Sequence, residues 1–194
     1  MIQKNTKKII EFLLRRITDI GYNVNQIARE LDISVSRAPE IITDLKSKNM
    51  VKVIDLKTAI YYSLNLNSPD TIDICKILIR EEQRNLKPIL RAYAEELKKF
   101  EQSLFTIIFG SILEKLDFRD VDVLFITDKV KEVNTFCLSQ AKIRSKPIHP
   151  LIMTQEDFIK NLKKKDTVIL EIIKKGKVIK GEEYYMETLK NGQD

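Results

Sequence analysis

The chain has 194 residues, a formal net charge of +6 and a hydrophobic fraction of 43%. These values predict a globular protein of one large or two small domains, and the low content of Gly and Pro, five each, excludes a long low-complexity linker. No run of about 18 apolar residues occurs, so we expect no membrane-spanning helix and no membrane partner.

The first third of the chain contains a helix-turn-helix pattern. Apolar residues recur at helical spacing and predict a helix over about residues 5–18 that ends before Gly21. Asn23 or Asn25 can cap a second helix, and a short turn over 32–34 leads to a third. The inward-facing residues of the third helix are Ile41, Ile42 and Leu45. Two helices joined by a tight turn define the pattern.

The start of the third helix depends on a proline. Ser34 or Ser36 can cap this helix. With Ser36 as the cap, Pro39 falls in the first turn, where no hydrogen bond of the helix is lost. We therefore prefer Ser36.

Two β-rich runs follow, over residues 50–54 and 60–64, joined by the polar segment 55–59. They predict a two-stranded wing. With the preceding helices, about residues 5–66 resemble the winged-helix transcription regulators of bacteria and archaea. The resemblance implies double-stranded DNA as a partner, with the third helix presented to the major groove. The alternative is that this domain makes only protein contacts.

Polar and basic side chains of this domain are the predicted DNA contacts. They are Ser34, Ser36, Arg37, Lys46, Lys48, Lys52 and Lys57. Arg37 could read a guanine or grip a phosphate, and the four lysines suit backbone phosphates. Residues 1–68 carry 11 basic against 7 acidic side chains, a mild excess that DNA phosphates would favour. A homodimer is expected because helix-turn-helix proteins usually read two half-sites.

A connector separates this domain from the rest of the chain. One helix is predicted to about Arg84, and Pro88 can open the next. We divide the chain into a winged-helix domain (1–67), a connector helix (68–87) and a C-terminal domain (88–194). The connector could pair two chains, or it could pack on one of the two domains.

The C-terminal domain contains a strand, a Gly-Ser turn, a short helix and a second strand. Gly110 lets the backbone approach something bulky, and Ser111 supplies a hydroxyl at the helix start, a combination that suits a triphosphate. Asp120 and Asp122 are two apart on a strand and point to the same face. Paired carboxylates attract a cation, and Mg²⁺ is the natural choice because it binds oxygen ligands and phosphates.

This pattern resembles the nucleotidyltransferase superfamily related to DNA polymerase β, in its minimal branch, over about residues 88–183. The predicted closing helix and strand over 172–181 extend the likeness. The resemblance implies that Gly110 and Ser111 bind the phosphates of a nucleoside triphosphate. It also implies that Asp120 and Asp122 are catalytic metal ligands. The expected fold class is α+β in two domains, a mainly α winged helix with a β-wing and a mixed sheet flanked by helices.

The sequence departs from that family at two places. The spacer between Gly110-Ser111 and Asp120 is short and lacks the common Arg-Gly and Ser. The third carboxylate of active members is expected on the strand over 148–153, where His149 and Leu151 occupy the plausible positions. The missing acid predicts weak or lost catalysis with retained nucleotide binding.

Other titratable residues have simpler interpretations. Glu156 and Asp157 lie close to that strand but fall in a predicted helix start. His149 could be a metal ligand or base, but a packing role is favoured. The lysine run 163–165 suits a solvated helix face, with anion contact as the alternative.

The cysteines bear on the compartment. Cys75 and Cys137 form no CxxC pair, and we expect two buried thiols in a cytoplasmic protein.

The leading hypothesis is a DNA-binding regulator whose C-terminal domain senses a nucleotide or a partner protein. One alternative is an active Mg²⁺-dependent nucleotidyltransferase that moves a nucleoside monophosphate to a protein or small molecule. The other is an antitoxin-like interaction module.

Overall fold

The computed structural model describes residues 2–115, 117–141 and 146–193. Within these ranges the chain is a mixed α+β protein with nine α-helices, one 3₁₀ helix and two small sheets. It divides into two compact units, Met1–Leu78 and Ile79–Asp194. The boundary falls inside one helix, Pro69–Arg84.

The first unit consists of three helices, a β-hairpin and the start of a fourth helix. Its elements are α1 (Lys4–Leu14), α2 (Val24–Leu31), α3 (Arg37–Ser47), β1 (Val51–Asp55), β2 (Ile60–Leu64) and α4 (Pro69–Arg84). The predicted second and third helices and both strands are confirmed. The first helix ends at Leu14, not near residue 18, because separate turns close from Arg16 N to Leu13 O and from Asp19 N to Arg16 O.

An isolated antiparallel β-bridge joins Tyr22 to strand β2 of the hairpin. Tyr22 and Tyr62 exchange two backbone hydrogen bonds, of 3.0 and 2.9 Å. Gly21 has φ 132°, and a Cβ there would lie 2.9 Å from Tyr62 O. Gly21 therefore allows Tyr22 to approach β2 closely. The sequence indicated only that Gly21 follows the end of a helix.

The helix ends of the first unit follow from local chemistry. Asn23 caps α2 in a capping box with Gln26, each side chain accepting a hydrogen bond from the other residue's backbone N–H. Helix α3 begins at Arg37, so Pro39 falls in the first turn, as predicted. The preference for Ser36 as the cap is wrong in its chemistry, because the Ser36 side chain makes no capping hydrogen bond and Ser34 Oγ accepts one from Arg37 N at 3.3 Å. The apolar faces of the three helices form the core. Its fully or nearly fully buried members include Ile9, Ile10, Leu13, Ile27, Ala28, Ile41, Ile42 and Leu45.

The second unit is built on a four-stranded mixed sheet. Its elements are α5 (Pro88–Leu97), β3 (Thr106–Phe109), a 3₁₀ helix (Ser111–Leu113), β4 (Val121–Ile126), α6 (Val130–Gln140), β5 (Ile148–Met153), α7 (Gln155–Lys163), α8 (Thr167–Lys175), β6 (Lys177–Lys180) and α9 (Glu182–Gln193). The strand order is β5-β4-β3-β6, with β5 parallel to β4 and the other pairs antiparallel. The predicted strand–turn–strand and the closing helix and strand are confirmed.

Helices cover both faces of this sheet. On one face, α5 and α6 pack on the strands through a core that includes Leu97, Val133 and Phe125. On the other, the Phe105 ring makes edge-to-face contacts with Phe158 of α7 and Tyr185 of α9. Strand β4 is buried at every residue except Asp122, which is half-buried.

Candidate functional site

The Gly-Ser turn lies beside Asp122, where two neighbouring strands meet. The prediction that both carboxylates stand on one strand is only partly right, because β4 begins at Val121 and Asp120 precedes it. Phe109, the last residue of β3, pairs with Asp122 of β4. Gly110 follows with φ 77°, and a Cβ built on it would overlap the Asp122 carboxylate. The bulky group that Gly110 admits is therefore the side chain of Asp122, a neighbour that the sequence alone did not reveal.

The two carboxylates influence one another. Asp122 is half-buried, and its pKa is raised above the ordinary value, first by burial and then by the negative charge of Asp120. His149 acts in the opposite direction and favours the ionised form. Two neighbouring carboxylates of this kind gain from a bound cation.

His149 is the residue that β5 places beside Asp122. The two are Cα partners in the parallel pair, and His149 Nδ1 lies 3.8 Å from Asp122 Oδ1. Leu151 pairs with Leu124 and is one step further along. The His149 side chain is 78% exposed, so it is not the packing residue that the sequence analysis favoured.

The two other nearby acids belong to the start of α7. Thr154 caps this helix and accepts a hydrogen bond from Asp157 N at 3.1 Å, while its hydroxyl donates to Asp157 Oδ2 at 2.8 Å. Glu156 lies in the same first turn and is exposed. The predicted helix start is confirmed, and Asp157 has a structural role in it.

The donor set defines what kind of metal could bind. Across residues 2–115, 117–141 and 146–193, no group of three or more His, Cys, Asp or Glu side chains is arranged to hold a metal ion. Asp120 and Asp122 together offer carboxylate oxygens only. Mg²⁺ is commonly held by one or two carboxylates, with water and substrate phosphates completing its shell. The pair therefore fits a magnesium ion that arrives with a phosphate ligand, and it does not fit a site made by protein ligands alone.

Ser111 opens a 3₁₀ helix of three residues. This helix is too short for aligned peptide dipoles to attract a phosphate strongly. Ser111 is half-buried, and its carbonyl accepts hydrogen bonds from Glu114 N and Lys115 N at 3.1 and 2.9 Å. Any phosphate at this turn would need positive charge from elsewhere.

Positive charge is available in a cleft that the sequence analysis missed. The cleft has a volume of about 770 Å³ and lies between the Gly110-Ser111 turn and α8. Its charged lining residues are Glu114, Lys115, Glu171, Lys174, Lys175 and Lys177. Only the density of lysine around 174–177 could have indicated it.

In the first unit, the predicted contact residues at the start of α3 are all exposed. The Arg37 amide donates to Ser34 O at 3.0 Å, so Ser34 closes the turn before the helix. The Arg37 guanidinium is occupied within the unit, because it donates to Glu40 Oε2 at 2.5 Å and to Gln3 Oε1 at 2.9 Å. Val35, which the sequence analysis passed over, is 68% exposed between the two serines.

The four predicted lysines are exposed and lie at two places. Lys46 and Lys48 are at the C-terminal end of α3, where Lys48 pairs with Asp44 at 2.7 Å. Lys52 is on β1, and Lys57 is at the tip of the hairpin with φ 65°. Asp55 stabilises that tip by accepting a hydrogen bond from Lys57 N at 2.8 Å.

No family model matches the chain, and comparison with the curated proteins and with the solved structures gives no match either. Among the described residues, no helix is both long enough and apolar enough to cross a bilayer.

Proposed function

We propose that this chain is a DNA-binding regulator whose second unit is a nucleotidyltransferase-like domain that binds a nucleotide with Mg²⁺ and turns it over slowly or not at all. The proposal that the second unit turns nucleotide over slowly or not at all rests on the pairing of His149 with Asp122. In an active member of the resembled superfamily, the neighbouring strand supplies a third carboxylate. In this chain the residue beside Asp122 on β5 is a histidine.

The order of elements in the first unit supports a winged helix. A helix, the Tyr22 bridge, two helices and a two-stranded hairpin follow one another. The start of α3 is exposed and polar, and the hairpin carries exposed lysines at positions 52 and 57. Such a surface suits α3 in the major groove and the hairpin against the phosphate backbone.

The exposed residues of the first unit would contact different parts of the DNA. Val35 is an exposed apolar side chain, and it could make an apolar contact with the methyl group of a thymine. Arg37 can form a bidentate contact with guanine once it leaves Glu40 and Gln3. The lysines would contact phosphates without reading sequence.

The arrangement of the second unit supports nucleotide binding. The Gly-Ser turn directly follows β3, and Asp122 lies on the adjacent strand β4 with Asp120 two residues before it. Asp120 and Asp122 would hold Mg²⁺, which neutralises phosphate charge when bound. The histidine at 149 leaves this pair without the acid that would take a proton from an attacking hydroxyl.

The experiment is a DNA-binding titration of the full chain by fluorescence anisotropy, using genomic fragments selected for binding. We expect affinity to fall steeply with salt concentration. Arg37→Ala should reduce sequence preference, whereas Lys57→Ala should weaken binding to all DNA about equally. Added nucleoside triphosphate with Mg²⁺ should change the affinity of the parent protein and leave that of Asp122→Ala unchanged. Binding that is absent or independent of salt would contradict the proposal and favour a protein-interaction module.

A further inference from the structure

The lysine-lined cleft has no role in the function proposed so far. It is bounded by the turn after Gly110 on one side and by α8 on the other. Four lysines and two glutamates line it. Lys177 also pairs with Glu82, outside the lining, at 2.5 Å, which leaves an excess of one positive charge. Apolar side chains complete the lining. They include Leu113, Val168 and Ile172.

One lysine joins the two sides of this cleft. Lys175 Nζ lies 2.9 Å from Glu114 Oε1, just after the 3₁₀ helix, and 2.7 Å from Glu171 Oε1 on α8. Both carboxylates raise the pKa of Lys175, and Lys175 in turn lowers the pKa of Glu114. All three side chains are about half exposed, so a solute can reach them.

We propose that this cleft binds the terminal phosphates of a polyphosphate ligand, with Lys175 as their main cation and Glu114 as an internal competitor. This inference rests on the function proposed for the second unit. The strand order places Asp122 on β4 and the lysines near β6 on opposite sides of β3, with the Gly110-Ser111 turn at the end of β3. A chain of phosphates that crosses this turn would meet the metal ligands on one side and Lys175 on the other.

Phosphate competes well for Lys175. A terminal phosphate carries more negative charge than a carboxylate and offers three acceptor oxygens to the ammonium group. Glu114 lies on an irregular segment, and it can release Lys175 without disturbing a strand or an α-helix. Glu171 is held one helical turn before Lys175 and would keep the lysine oriented during the exchange.

The test is calorimetric titration of the full chain with inorganic tripolyphosphate without metal. Lys175→Ala should weaken binding about five- to ten-fold, as expected for the loss of an exposed charge-assisted hydrogen bond. Lys175→Arg should retain most of the affinity. Glu114→Gln should strengthen binding in the parent and have a smaller effect in the Lys175→Ala background, where only the direct repulsion of the ligand is removed. The matched control is Lys160→Ala, an exposed lysine on α7 outside the cleft.

Three results would overturn the proposal: no tripolyphosphate binding by the parent, a Lys175→Ala variant that behaves like Lys160→Ala, or weaker binding after Glu114→Gln. Asp122→Asn separates this proposal from the function of the second unit. We expect this variant to lose Mg²⁺-dependent nucleotide binding and to keep metal-free binding of tripolyphosphate. If nucleotide never binds while tripolyphosphate binding still depends on Lys175, the nucleotide function fails and the phosphate cleft is supported.

Discussion

Gly110 faces the carboxylate of Asp122 so closely that a Cβ on Gly110 would lie 2.1 Å from Asp122 Oδ2. The backbone at Gly110 also has φ 77°, a conformation that residues with a side chain rarely adopt. The two positions therefore depend on one another, since an aspartate at 122 in this orientation requires a glycine at 110.

Gly110→Ala should destabilise the second unit by about 1–3 kcal/mol, because it combines the strain of a positive φ with the overlap at Asp122. The free energy of unfolding from urea titration measures the effect. In an Asp122→Ala background the overlap is gone, so the same glycine substitution should cost less. Equal costs in the two backgrounds would show that the close approach has no energetic consequence.

Asp122 should make the protein less stable as the pH rises. Burial and the charge of Asp120 raise the pKa of Asp122 in the folded state above its unfolded value. Its stabilising contribution is therefore complete below the unfolded pKa and is lost as the pH rises through the folded pKa. Asp122→Asn should raise the melting temperature at neutral pH, and the gain should shrink toward about pH 4, near the ordinary pKa of an aspartate.

The control for this titration is Asp117→Asn, at an exposed position. The pH-dependent gain should be larger for Asp122→Asn than for Asp117→Asn. If the gain in melting temperature does not change with pH, the account is contradicted. It is also contradicted if the parent protein melts at a higher temperature than Asp122→Asn at neutral pH, because the ionised Asp122 would then not be destabilising.

Val35 should contribute to DNA sequence preference. Replacing it by Ala removes apolar contact with a thymine methyl and should weaken specific binding by about 1–2 kcal/mol, the value of one or two buried methylene groups. The measurement is anisotropy with a selected site in which thymines are changed to uracil one at a time. One such change should abolish the difference between parent and Val35→Ala. Additive effects at every thymine would exclude the methyl contact.

Both cysteines should be unreactive in the folded protein. Burial raises the pKa of Cys75 to about 12 and that of Cys137 to about 11, so little thiolate forms near neutral pH. Iodoacetamide at about pH 8 should add no group to the native chain and two to the chain unfolded in guanidinium, as counted by mass spectrometry. Rapid alkylation of the native protein would show that a thiol is accessible.

Much of the fold was predictable because strong local signals agree with the tertiary structure. The strand over 148–153 and the Gly110-Ser111 turn were placed correctly, since β-rich runs and a Gly-Ser pair are local features. The partner of Asp122 on β5 was left open between His149 and Leu151. That choice depends on the register of two strands joined by a long connection, which local sequence does not specify.

The features that sequence missed are tertiary. The Tyr22–Tyr62 bridge is a single pair of residues and leaves no periodic signal. Lys175 and Glu114 are 61 positions apart in the chain, and only the packing of α8 beside the turn brings them together. Gly21 and Gly110 were recognised as special positions, but the groups that approach them, Tyr62 and Asp122, could not be named.

The most direct test of the central claim follows nucleotide binding and pyrophosphate release together, with labelled nucleoside triphosphates and Mg²⁺. We expect the parent protein to bind nucleotide in a Mg²⁺-dependent manner with little or no release, because loss of a catalytic proton acceptor costs about 10²–10⁴ in rate. His149→Asp, which restores a carboxylate beside Asp122, should increase release, and Asp120→Asn should abolish metal-dependent binding. Robust release by the parent that is lost in Asp120→Asn would contradict the account and make the protein an active nucleotidyltransferase.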